Sequence, residues 1–232
     1  MTSRLSAVTY DARDALLLGR FWAGVLDRPP VEDARGVLLP GTATQVGLRF
    51  APSTAQRSAP DRLHLHLSSD VGASQAEVVA RLLRLGARHV DVGQRPEEGH
   101  VVLADPEGDL LCVIEAGSRW LAGCGFLAEV ACDGTREVGL FWRDVLGWPL
   151  VWDTDGETAV QAPDGGTKVA WGGPPVEPVV ARPRQRFELV TSDGLAAETE
   201  RLVTLGATVL SSSASSVALA DPDGVELALL PA

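Results

Sequence analysis

Residues 14–26 read DALLLGRFWAGVL, and their second half returns as FWRDVL at 141–146, so that Phe21, Trp22, Val25 and Leu26 match Phe141, Trp142, Val145 and Leu146. The spacing of the apolar residues Leu17, Leu18, Phe21, Trp22, Val25 and Leu26 predicts an amphipathic helix over 14–26. Two further landmarks recur in the same order. Leu85-Gly86-Ala87 returns as Leu205-Gly206-Ala207, and Asp105-Pro106-Glu107-Gly108 returns as Asp221-Pro222-Asp223-Gly224. Ordered matches at nearly constant offset establish an internal duplication. Its two copies fall at residues 1–118 and 123–232, with the joint between Gly117 and Gly123.

Each copy divides again. Residues 5–10 form a short strand before the 14–26 helix, and strand-like pieces follow at 36–40 and 45–51. A Pro- and Ser-containing link spans 52–60. The order then restarts with an alternating strand at 62–68, a helical period over 74–85 ended by Gly86, and strands near 89–92, 100–104 and 109–115. The last two are joined by the DPEG turn. The second copy repeats this over 125–172 and 185–230, around the Pro-rich link 172–184. The expected fold is α+β, built from four βαβββ modules.

Tandem βαβββ modules, Asp14 with six residues between it and Phe21-Trp22, Leu-Gly-Ala closing the second helix and a DP[DE]G hairpin before the last strand together resemble the vicinal-oxygen-chelate superfamily, which unites glyoxalases, bleomycin-resistance proteins and extradiol dioxygenases. The resemblance covers nearly the whole chain. It implies two tandem glyoxalase-like domains whose mixed sheets curl into cups with helices outside, each cup holding a small ligand or a metal ion. Modules can pair within a half, across the halves or across a homodimer.

Composition narrows the partners. A charge of −11 argues against sequence-independent binding to nucleic acid or an anionic membrane, which demands clustered Lys and Arg. No window has the apolar length of a membrane span, and the N-terminus lacks the apolar core of a signal peptide, so the chain reads as cytoplasmic. The cysteines Cys112, Cys124 and Cys132, an odd count in a chain read without an export signal, are expected as reduced thiols, and none of them has metal-cluster spacing.

Metal-dependent members of the resembled superfamily hold a divalent ion by His and Glu on the first and last strands of their modules. In Arg62-Leu63-His64-Leu65-His66-Leu67-Ser68 the leucines share one face and the histidines the other, so His64 and His66 are expected in a cup as the metal candidates. The residue seven beyond the turn Asp, where the superfamily places a Glu, is Cys112 in one copy and Ala228 in the other. Glu115 and Glu226 lie nearby but out of step. On the first strands the equivalent positions fall near Val8 and near Leu127 or Ala128, with Glu129 adjacent. The counterpart of the histidine strand, Arg186-Phe187-Glu188-Leu189-Val190, contains no histidine.

These departures favour a metal-free cup that binds a small molecule, in the manner of bleomycin-resistance proteins, with Tyr10, His64, His66, Trp148, Trp152 and Trp171 as its lining. The alternatives are a metal-dependent lyase, isomerase or dioxygenase centred on His64 and His66, and a structural or regulatory module without chemistry. Trp22 and Trp142 are expected in the core, and Trp120 between the halves.

Overall fold

A computed structural model describes residues 3–55, 61–70, 72–95 and 97–232; part of the 52–60 link therefore lies outside the described residues. Module 1 comprises β1 (Arg4–Ala12), α1 (Ala15–Leu26), β2 (Val31–Asp33), β3 (Gly36–Leu39) and β4 (Gly47–Pro52). Module 2 comprises β5 (Leu63–Ser68), α2 (Gln75–Leu85), β6 (Arg88–His89), β7 (Val101–Ala104) and β8 (Leu110–Ile114). Module 3 is β9 (Leu127–Cys132), α3 (Arg136–Leu146), β10 (Leu150–Thr154), β11 (Glu157–Gln161) and β12 (Lys168–Trp171). Module 4 is β13 (Gln185–Thr191), α4 (Leu195–Leu205), β14 (Thr208–Ser212), β15 (Val217–Ala220) and β16 (Glu226–Pro231).

Helix boundaries follow the capping chemistry of the sequence. Asp14 Oδ1 accepts from Leu17 N at the start of α1, and Ser74 forms a reciprocal capping box with Glu77 at the start of α2. Gly86 ends α2 at φ +117°, a left-handed conformation that a side chain would strain. The strand expected at 89–92 is shorter than its sequence suggests. Asp91 Oδ1 accepts from Gly93 N, and this local turn takes the chain away after His89.

Among the described residues, sixteen strands form two mixed eight-stranded sheets, neither closed into a barrel. Sheet A runs β14-β15-β16-β13-β1-β4-β3-β2 and sheet B runs β10-β11-β12-β9-β5-β8-β7-β6. Within every module the first and last strands are parallel neighbours, while the modules meet through antiparallel β1–β13 and β5–β9 pairs. Each sheet thus takes one module from each half of the sequence. One continuous apolar cluster joins residues of both sheets and all four helices. Trp142 on α3 makes this concrete, stacking on Trp171 of sheet B at 6.4 Å and meeting Phe187 of sheet A edge-on at 4.6 Å.

The repeated landmarks explain one another. Trp22 Nε1 donates to Asp105 Oδ2 at 3.2 Å, and Trp142 Nε1 donates to Asp221 Oδ2 at 3.3 Å. The other oxygen of each aspartate accepts backbone N–H groups of its own turn. The third turn residue reaches the start of the helix: Glu107 accepts from Arg13 N and Asp14 N, and Asp223 from Thr135 N and Oγ1. The FW and DP[DE]G motifs therefore form a clamp within each half, whereas the strands pair across the halves.

Burial, opposed by hydrogen bonds from Val225 N and Trp142, raises the Asp221 carboxyl to about 6. Its proton is held more tightly in the folded state, so its contribution to stability is greatest below the unfolded pKa and is lost as pH rises from about 4 to about 6. A shift of this size corresponds to roughly 2–3 kcal/mol. Asp221→Asn is expected to gain stability relative to the wild type by roughly 2 kcal/mol between pH 4 and pH 7. Urea unfolding of both proteins across that range checks this, and a constant difference would refute it.

Candidate functional site

The unlike neighbours of the leucines on β5 place a line of polar groups across sheet B. Leu63, Leu65 and Leu67 enter the core, and His64 and His66 face the concave side as alternation requires. The register then sets Cys112 of β8 beside His66, Glu129 of β9 on its other side and Lys168 of β12 beyond Glu129. This row, Lys168-Glu129-His66-Cys112, takes one residue from the first and last strands of each module. Glu129 arrives there through a β-bulge. His66 pairs with Glu129 but Leu67 with Leu127, so Ala128 is the extra residue that turns the carboxylate into the cup.

Glu129 is 3% exposed and its oxygens are both engaged. Oε2 lies 2.6 Å from His66 Nδ1, and Oε1 accepts from Trp120 Nε1 at 2.7 Å. Trp120 belongs to the segment joining the halves, which is pinned by a small cluster of Leu121, Cys124 and Ala128. Lys168, the one lysine in the sequence, donates Nζ to Trp120 O and lies 3.9 Å from the centre of its ring. Trp152, 40% exposed, stands edge-on to Trp120 at 5.6 Å. Burial works against the His66 charge, but hydrogen bonds to Cys112 and Glu129 outweigh it and lift the pKa to about 9. Burial and the neighbouring His66 depress His64 to about 4.

Among the described residues, His64, His66 and Cys112 form a group that could hold a metal ion, their donor atoms lying within 4.8 Å of one another. A tetrahedral zinc site, with Zn–N near 2.0–2.1 Å and Zn–S near 2.3 Å, needs donors about 3.3–3.8 Å apart, a closure of about 1 Å. Two imidazoles and a thiolate suit a soft divalent ion. Glu129 on Nδ1 of His66 is the carboxylate partner that metal-bound histidines commonly have. The donor set therefore fits a metal, but by a different route from the His and Glu set the resemblance implied.

The corresponding row of sheet A is Gly47-Ala7-Glu188-Ala228. A cavity of about 520 Å³ lies on the concave face beside Glu188 and Ala228 of this row, lined also by Arg35, Arg49, Arg182 and Arg186 among others. Arg49 is 2% exposed and donates to Glu188 and to both oxygens of Asp33.

The expected lining residues separate. His64 and His66 lie in the sheet B cup, and Trp152 stands beside it against Trp120. Tyr10 does not line a cup: with Val8 and Ala12 it occupies the core side of β1, 5.9 Å from Phe50, while Thr9 and Asp11 take the other face. Burial, with nearby Asp109 and Asp105, raises its phenol well above the ordinary value. Trp171 is likewise core, because strand parity gives the concave face to Lys168 and Ala170. Trp148 lines a separate cavity of about 120 Å³ with Gln45, Val46 and Thr167. Lys168, Arg49 and Glu188 were missed. Charged residues inside apolar strands, as in Leu48-Arg49-Phe50, were the available signal.

Glyoxalase I from Zea mays is similar over 99% of this chain and 92% of that one, at 13% identity and a TM-score of 0.63. A suspected dioxygenase from Bacillus subtilis is similar over 99% and 85%, at 13% identity and a TM-score of 0.65. At such identities these likenesses show the fold. No curated protein matches the sequence. A glyoxalase-like domain model matches residues 7–114 and again residues 128–230, and the chain belongs to that glyoxalase-like domain family, carrying two copies.

Proposed function

We propose that the sheet B cup is a metal-dependent small-molecule site of the lyase, isomerase or dioxygenase kind, held by His64, His66 and Cys112. The observation that carries this reading is the convergence of those three donors within 4.8 Å, with a carboxylate on the far nitrogen of one of them. A bound divalent ion supplies Lewis acidity toward an oxygen-bearing substrate. Glu129 orients the His66 ring, and the Trp120 indole fixes Glu129. Trp120 and Trp152, edge-on to one another, stand as an aromatic pair beside the Glu129 end of the row. A metal-free cup binding a small molecule is the second reading. It is favoured by Lys168, whose ammonium occupies one of the four row positions and discourages a second cation.

Elemental analysis of untagged protein, before and after incubation with Zn, Ni, Mn and Fe(II), tests the first reading. Near-stoichiometric Zn or Ni in preference to Mn is expected, and its loss in the His64→Ala, His66→Ala double variant. Glu129→Gln is expected to weaken metal binding about 10- to 100-fold. Protein that retains no metal overturns this reading and leaves the metal-free cup.

A further inference from the structure

We infer that the sheet A cup is a second, metal-independent binding site, and that its ligand is a small organic molecule bearing one carboxylate. The cavity of about 520 Å³ falls within the range of small-molecule sites. Its lining includes Ala228, which stands where sheet B has Cys112.

Its walls carry donors that the protein leaves unused. Arg49 spends Nε on Glu188 and Nη1 on Asp33; its Nη2 has no hydrogen-bond partner among the described residues, although the side chain is almost wholly buried. Arg186 donates Nη1 to Asp11 and pairs through Nε with Glu226 at 3.8 Å, again leaving Nη2. Among the described residues Arg35 uses only Nη1, on the Glu188 oxygen that Arg49 already holds. A guanidinium has five N–H groups in a fixed fork, and an acceptor with two coplanar oxygens matches that geometry.

The charge balance separates carboxylate from phosphate. Arg35, Arg49, Arg182 and Arg186 are offset by Asp11, Asp33, Glu188 and Glu226, all joined in ion pairs around the cavity. Asp11 and Asp33 stand outside the lining, so the cavity itself presents four guanidinium groups and two carboxylates, enough to admit a single negative charge. A dianionic phosphate would meet the two lining carboxylates, Glu188 and Glu226, while all four arginines are already held in ion pairs, without the surplus of unpaired cations that phosphate sites commonly provide. Ser211 and Ser212 at the cavity edge supply hydroxyls for the polar part of the ligand.

The test uses the full chain with a chelator present, so that failure of the metal reading of sheet B leaves it intact. Benzoate, 4-hydroxybenzoate and lactate are titrated against inorganic phosphate and glycerol 3-phosphate, monitoring arginine Nε–H resonances by NMR. At least one monocarboxylate is expected to shift the Arg35, Arg49 and Arg186 signals with a Kd of about 1 mM or tighter. Arg35→Gln, at a half-exposed position that the fold tolerates, should weaken that binding about tenfold, and His66→Ala should leave it unchanged. No shift with any carboxylate overturns the inference. So do equal shifts with phosphate, or binding that Arg35→Gln leaves untouched.

Discussion

Trp142→Ala is expected to lower the unfolding free energy by roughly 3–5 kcal/mol, the largest effect of any single core substitution here. Trp142 is one of the largest fully buried side chains, and it touches aromatic residues from both sheets. Its loss opens a cavity at the junction and removes a hydrogen bond from Asp221. Trp142→Phe keeps most of the apolar volume while deleting that donor, and should cost about half as much. Urea unfolding monitored by far-UV circular dichroism checks both. A loss under about 1 kcal/mol for the alanine variant would mean that the sheets do not depend on this contact.

Glu188→Ala should be the most damaging change in the sheet A cup. It strips the buried Arg49 guanidinium of its Nε partner and leaves it with Asp33, which is partly exposed. Removing one member of a buried pair costs about 3–5 kcal/mol in general, and the surviving Asp33 contact places this case toward the lower end. The double variant Arg49→Met, Glu188→Leu removes both charges and is expected to recover most of the loss, since a buried ion pair contributes little net stability over apolar residues of similar size. Equilibrium unfolding of the three proteins gives the comparison. A double variant no more stable than Glu188→Ala would show that the remaining Arg35 and Asp33 charges dominate.

The module plan was legible because it rests on local periodicity. The helical spacing of Phe21-Trp22 and the strict alternation of 63–67 each specify which face is buried, and the structure follows them. Module pairing was not legible, since strand partners are chosen by long-range packing that leaves no local trace. The sheet B cup was half visible. His64 and His66 followed from alternation, while Glu129 was legible only as the neighbour of the expected position, because the Ala128 bulge shifts the face by one residue without any glycine or proline to announce it. Tyr10 and Trp171 were misplaced for a related reason: large amphipathic rings suit a cup as well as a core, and only strand parity separates the two. The function of the turn aspartates was also out of reach, because their Trp partners lie about eighty residues away.

Completing each sheet across the halves has a consequence for symmetry. Two separate copies of one half could assemble about a twofold axis by the same strand pairings, and their two cups would be identical, because every residue would appear in both. In a single chain that equivalence is lifted. A substitution enters one cup only, so one can keep a row of Lys, Glu, His and Cys while its counterpart is cleared to Gly, Ala, Glu and Ala. The covalent joint between the halves thus gives one molecule two differently lined hollows on a shared core, something a symmetric pair of short chains cannot have.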